Sequence, residues 1–171
     1  VYETNTPMPE FEQAQGFPTA TDDLPRLPLH ACGPLLFTSL DPQEPAERLL
    51  APFLTRCGFL PLAEAVFDPS RSRDYLVRAN WALYCDNYLE GFHIPYVHAS
   101  LAGALDYGAY RTELFEHASL QVGIASTDDD AFDLPASSPD LGERVAAYYL
   151  WLWPNTMLNV YPWGLSVNVV K

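Results

Sequence analysis

The stretch from Ala146 onward constrains the fold more than any other part of the chain. It reads AYYLWLW, TMLNVY and LSVNVV, three runs rich in aromatic and β-branched residues, separated only by Pro154-Asn155 and by Pro162-Trp163-Gly164. Such runs are strands, and connections this short allow only antiparallel neighbours, because a parallel return needs a crossover of about a dozen residues or more. Residues 110–126, YRTELFEHASLQVGIAS, read as a further strand pair. The simplest product is an α+β fold, a hairpin-built antiparallel sheet curved around a long helix.

That helix is expected at residues 81–92, with Asn80 as its side-chain cap and Pro95 as its stop, since an interior proline removes a backbone donor. At helical spacing Trp81, Tyr84, Cys85, Tyr88 and Phe92 form one apolar stripe, expected to be core. Asp86, Asn87, Glu90 and His93 share the opposite side. A shorter helix is read at residues 45–54, begun by Pro45 and followed by Gly58, residues 35–40 read as a short apolar strand, and residues 74–79 alternate like a strand. Residues 1–34 hold six prolines without periodicity and read as an extended arm. Residues 126–143 form an acidic, Pro/Ser-rich loop expected to be mobile.

Nine Lys plus Arg against 22 Asp plus Glu give a net charge of −13, and Lys171 is the only lysine. The basic surface that nucleic acid or an anionic membrane requires is missing, and no apolar run reaches the roughly 18 residues of a membrane span. Cys32, Cys57 and Cys85 are odd in number, far apart and without a C-x-x-C pair. Neither a disulfide framework nor a Cys-rich zinc site is indicated, and a reducing cytoplasm fits. An aromatic content of 13% favours a pocket for a small molecule. The first residues carry neither an initiator Met nor an apolar leader, and GLSVNVVK ends as a strand would, so the chain is expected to be cut at both ends.

The chemistry lies in NWALYCDNYLEGFHIPYVHASL, residues 80–101, where Glu90, His93 and His98 fall as E-x-x-H-x-x-x-x-H. With this chain's usage of Glu and His, chance supplies that triple roughly 0.005 times. Glu90 and His93 stand three apart on the polar helix face, and His98 lies past the Pro95 break, where the chain can swing a second imidazole towards the first. Two neutral imidazoles and a carboxylate with open positions are what an oxygen-activating ferrous centre needs, whereas a closed four-ligand set would be structural. The plainer reading makes His93 a helix C-terminal cap beside a solvated polar face. Zinc hydrolase chemistry is disfavoured because no H-E-x-x-H helix is present. His30 and His117 read as structural, His117 within a strand.

These residues resemble a known family. NW at 80–81 followed by DNYLEGFHIPYVH is similar to the iron-site helix in the α subunits of Rieske-type non-heme iron oxygenases, the ring-hydroxylating dioxygenases and related monooxygenases. MPEFE at 8–12, FTSLDP at 37–42 and LWLWPNTMLNVYPWG at 150–164 resemble the surroundings of that helix. CDNYLEGFHIPYVHASLAG, with YRTELFEHASLQ after it, looks nearest to the branch that oxidises quaternary amines such as choline.

The resemblance implies a helix-grip (Bet v1/START-like) fold, with residues 1–34 an arm following a missing Rieske domain and residues 35–171 a partial catalytic domain. It implies His93 and His98 as ligands of a mononuclear Fe(II), Asn87 as an amide near the iron, and Glu90 as the acid linking the iron-ligating histidine to a neighbouring subunit's Rieske histidine. It also implies O₂ and a small organic substrate, a ferredoxin or flavin reductase as electron donor, and a homotrimer. The chain departs from the pattern in lacking the C-x-H and C-x-x-H ligands of a [2Fe-2S] cluster. Ala82 replaces a lysine that often follows NW. The usual third iron ligand, an aspartate, has no good match, since Asp128, Asp129 and Asp130 sit in the acidic loop, and it is expected past Lys171. The isolated chain is expected to be inactive. The alternative is a metal-free helix-grip module holding a small apolar ligand.

Overall fold

The computed structural model describes residues 13–17, 19, 21–126 and 131–171. A hairpin leads, β1 (Leu29–Cys32) against β2 (Leu35–Thr38), joining residues on both sides of position 34. Four helices follow, α1 (Ala46–Cys57), α2 (Trp81–Leu89), α3 (Ile94–Val97) and α4 (Ala99–Ala104). The strands β3 (Arg111–Leu114), β4 (Ala118–Ile124), β5 (Val145–Leu152), β6 (Thr156–Tyr161) and β7 (Gly164–Val169) then join in chain order as one antiparallel sheet. The turns read from the sequence set its register. Tyr161 pairs with Gly164 around Pro162-Trp163, and Leu152 with Thr156 around a turn holding the cis Trp153–Pro154 bond.

The pleat divides the sheet into two faces. Leu120 and Val122 of β4, Tyr148, Leu150 and Leu152 of β5, and Leu158 and Val160 of β6 are buried together with Leu50, Phe53 and Cys57 of α1. Those α1 residues sit at helical spacing, so the helix lays one apolar stripe on the sheet. On the other face a cross-strand row runs Thr112, Gln121, Tyr149, Asn159, Ser166. There Gln121 is 2% exposed and Asn159 7%. Polar side chains buried this deeply need partners, and α2 with the segment after it supplies them.

Four expectations are corrected. Residues 74–79 alternate in hydropathy yet form no strand, and Tyr75, Leu76 and Val77 are exposed, because none of their backbone groups meets a sheet edge. The helix expected at 81–92 stops at Leu89, so α1, with 12 residues, is the longest described helix. Of its apolar stripe only Cys85 is buried and Tyr88 partly so, whereas Trp81, Tyr84 and Phe92 are exposed, since α2 touches the sheet along a narrower strip. Residues 127–130 of the acidic loop lie outside the described residues, as does MPEFE. The described remainder of that loop is anchored at two points, with Phe132 stacked on Tyr148 and Asp140 buried, while residues 141–143 are exposed.

Candidate metal centre

Asn80 starts α2, its Oδ1 accepting the Ala82 N–H at 2.9 Å. The end of the helix is decided by side chains. In a continuing helix the Phe92 N–H would donate to the Tyr88 carbonyl. Instead Glu90 Oε2 takes the Phe92 N–H at 2.5 Å and the His93 N–H at 3.2 Å. The Tyr88 carbonyl receives Gln121 Nε2 at 2.6 Å. The helix ends because Glu90 takes an extended backbone, with φ −114° and ψ 149°, and its side chain gathers the Phe92 and His93 amides across the turn.

Glu90 and His93 accordingly meet across a turn and not along a helix face, which corrects the helical placement. Glu90 Oε1 lies 2.5 Å from His93 Nδ1, with Asn87 Nδ2 3.4 Å from the same oxygen. Desolvation raises the Glu90 pKa, but hydrogen bonds from the His93 ring and from the Phe92 and His93 amides outweigh it, so the carboxyl sits below its ordinary value. Pro95 does not stop α2. It lies in the first turn of α3, where a missing N–H costs nothing. α3 is a single turn, and His98 ends it and begins α4.

This turn brings the two imidazoles together, with ring centroids 5.1 Å apart and planes at 74°. Imidazoles bound to one ion at about 2.1 Å have ring centres roughly 4.5–5.2 Å apart for bond angles of about 90–110°. The observed separation fits a shared ion. His93 Nδ1 is committed to Glu90, which leaves its Nε2 as the free nitrogen. Both Glu90 oxygens accept donors from this turn, and the carboxylate side chain keeps 30% of its surface exposed.

Among the described residues no group of three or more His, Cys, Asp or Glu side chains is arranged to hold a metal ion, and Asp128, Asp129 and Asp130 lie outside them. Asp86 is exposed on α2. His30 faces Glu47 at 3.2 Å, and His117 faces Glu44 at 3.8 Å from the β3–β4 turn, not from within a strand. A cleft of about 310 Å³ beside α1 is lined by residues including Glu44, Arg48, Phe115 and His117, and by neither His93 nor His98. It is thus separate from the two-imidazole turn, which is identified by donor geometry and not by concavity. Sequence reading missed Gln121, whose only signal was a lone amide amid the buried run of β4.

Residues 64–171, more than half of the chain, match the family described as ring hydroxylating alpha subunit (catalytic domain). The chain belongs to this family. Its curated relatives include the chloroplastic choline monooxygenases of Arabidopsis thaliana, 38% identical over 57% of the chain, and of Amaranthus tricolor, 30% identical over 80%. The carnitine monooxygenase oxygenase subunit of Acinetobacter pittii is 32% identical over 54% of the chain. The matches cover 22%, 31% and 24% of those proteins, so the chain spans less than a third of each. A crystal structure of the quaternary ammonium Rieske monooxygenase CntA matches at a TM-score of 0.60 and 23% identity, over 82% of this chain and 36% of that one. The likeness establishes the fold, the helix-grip arrangement of helix and antiparallel sheet. Among the described residues no helix is long and apolar enough to cross a membrane.

Proposed function

We propose that the turn at residues 90–98 is the mononuclear iron site of an oxygenase α subunit that hydroxylates a small organic substrate, with His93 and His98 as its two imidazole ligands. The observation that carries the reading is the pair of rings at 5.1 Å, one of them held by Glu90 through Nδ1. A ferrous ion bound there supplies activation of dioxygen. The chain's own residues have three tasks. Glu90 fixes the His93 proton at Nδ1 and leaves Nε2 as a lone-pair donor. Asn87 adds a weaker contact to the same carboxylate. The single turn of α3 delivers His98 beside His93.

The names of the relatives favour a quaternary amine over an aromatic ring as substrate. Electrons would come from a ferredoxin or flavin reductase through a Rieske [2Fe-2S] cluster, for which this chain has no C-x-H and C-x-x-H ligands, and Glu90 would face that cluster's histidine in a neighbouring subunit of a homotrimer.

Iron analysis after anaerobic loading tests the site. His93→Ala and His98→Ala are each expected to lower bound iron to a minor fraction of the parent's. Unchanged iron in both variants refutes it. The metal-free binding reading then gains, and a fluorescent apolar probe bound by the apo chain with the affinity of the loaded chain would favour it.

A further inference from the structure

We propose that Gln121, oriented by Tyr110, is a positioning residue that anchors the C-terminal end of α2 to the sheet and so keeps the Glu90–His93 pair in register with His98. The inference rests on reading residues 90–98 as the metal site and adds a device on the sheet that nothing else assigns.

Gln121 sits in the middle of β4, on the face turned towards α2, and is 2% exposed. A buried primary amide is tolerated only when both ends are bonded. The Tyr88 carbonyl is an acceptor only, so the amide must present Nε2 to it, at 2.6 Å. Oε1 then faces the Tyr110 hydroxyl, which donates at 2.7 Å. Burial, and next the nearby Glu90 charge, hold the Tyr110 phenol well above its ordinary pKa, so it keeps the proton it donates. The Tyr110 ring also lies against the turn, since a Cβ on Gly91 would stand 3.0 Å from it. Tyr88 is tied down a second time through its hydroxyl, which donates to Asn159 Oδ1 at 3.0 Å.

The consequence follows from one hydrogen bond. Gln121 fixes the Tyr88 carbonyl to the sheet just before Glu90, where the backbone turns extended at φ −114° and ψ 149° and the carboxylate takes the Phe92 N–H with one oxygen and His93 Nδ1 with the other. Remove the amide, and the last turn of α2 loses its tie to β4 while the Tyr88 carbonyl is left buried with one partner fewer. The Glu90 turn that follows is then no longer held in register, and the carboxylate drifts from the His93 ring.

The experiment compares the parent chain with Gln121→Met and with Tyr110→Phe, which keeps the ring against Gly91 and loses only the hydroxyl. Backbone chemical shifts of residues 89–92 and the hydrogen-bonded Nδ1–H signal of His93 are read by NMR without metal, and Co²⁺ affinity by calorimetry. Gln121→Met is expected to shift the Glu90 and Gly91 backbone signals, abolish the His93 Nδ1–H signal and weaken Co²⁺ binding at least about tenfold, as losses of ligand-orienting partners do. Tyr110→Phe should act in the same direction and less. Variants that lose stability throughout while those local signals and the Co²⁺ affinity stay at parent values overturn the proposal. If Gln121→Met does not fold, Tyr110→Phe decides on the same criteria. A parent chain that binds no Co²⁺ refutes the metal site, and the NMR signals then decide the clamp alone.

Discussion

Asp140 offers the most quantitative test of what holds the sheet to α1. Its side chain is 1% exposed and lies 2.8 Å from Arg56 Nε. It also pairs with Arg111 and accepts the Tyr148 hydroxyl at 2.8 Å. Burial, and then the Asp140 carboxylate, hold the Tyr148 phenol far above its ordinary pKa, so it remains a donor. Asp140→Ala leaves a guanidinium with 11% exposure facing an emptied site, and breaking a buried pair costs about 3–5 kcal/mol. The lower end applies, because Arg56 keeps Glu113 at 2.5 Å and Arg111 keeps Glu143 at 2.6 Å. About 3 kcal/mol is roughly a third of a typical domain's stability. With a urea slope of about 2 kcal/mol/M, the unfolding midpoint should fall by about 1.5 M. Urea titration followed by tryptophan fluorescence and far-ultraviolet circular dichroism measures it. The double variant Asp140→Leu with Arg56→Met should be less destabilised than the sum of the single changes by about 2 kcal/mol. A midpoint shift under 0.3 M for Asp140→Ala, at about that urea slope, or a coupling near zero, would falsify the account of this network.

Other outcomes follow from single positions. Gly33 has φ +57° and an added Cβ would stand 2.8 Å from Leu62 Cβ, so Gly33→Ala should cost about 2 kcal/mol or more and lower Tm by roughly 4–8 °C, and an unchanged calorimetric Tm would exclude it. Asn80→Ala removes the cap of α2 and should cost about 1 kcal/mol, with Asn80→Asp retaining most of the stability, and equal losses in both variants would argue against capping. Burial pushes the Cys57 thiol from 9.0 up to about 12. Because the folded value is the raised one, the thiol is neutral in both states below pH 9, and stability drains as pH rises from about 9 to 12, by up to about 4 kcal/mol. A Cys57→Ala variant should show a flatter alkaline profile than the parent, and identical profiles would dismiss the buried thiol as the cause.

The legible parts of this fold were those whose signal is local. The turns at Pro162-Trp163 and Trp153-Pro154-Asn155 fix β5, β6 and β7, and α1 announces itself by Pro45, its apolar spacing and Gly58. The nearness of His93 to His98 was legible because a short broken segment leaves the two rings little room to separate. The end of α2 was not, because it is anchored by a partner far along the chain, Gln121, which is 33 residues from Tyr88. Residues 74–79 carry a strand's alternation without a partner, and pairing is a tertiary fact that no single segment encodes. Asp140 was hidden for the same reason, since one acidic residue in an acidic loop looks like its neighbours until Arg56 and Arg111 approach it from other elements.

β4 places both systems one residue apart, which gives a last test. Leu120 points to the α1 core, while Gln121 points to α2, and the pairing of Leu120 with Leu150 and of Gln121 with Tyr149 fixes which does which. A slip of one residue would bury the amide among leucines and turn a leucine to the Tyr88 carbonyl, so register alone keeps stability and site geometry on opposite sides of the sheet. Substitutions on the two faces should then be independent. Asp140→Ala combined with Tyr110→Phe is expected to be additive in unfolding free energy within about 0.5 kcal/mol, and Asp140→Ala alone should leave the His93 Nδ1–H signal unmoved. A larger coupling, or a shifted ring proton in a folded Asp140→Ala chain, would mean that the sheet transmits strain from one face to the other.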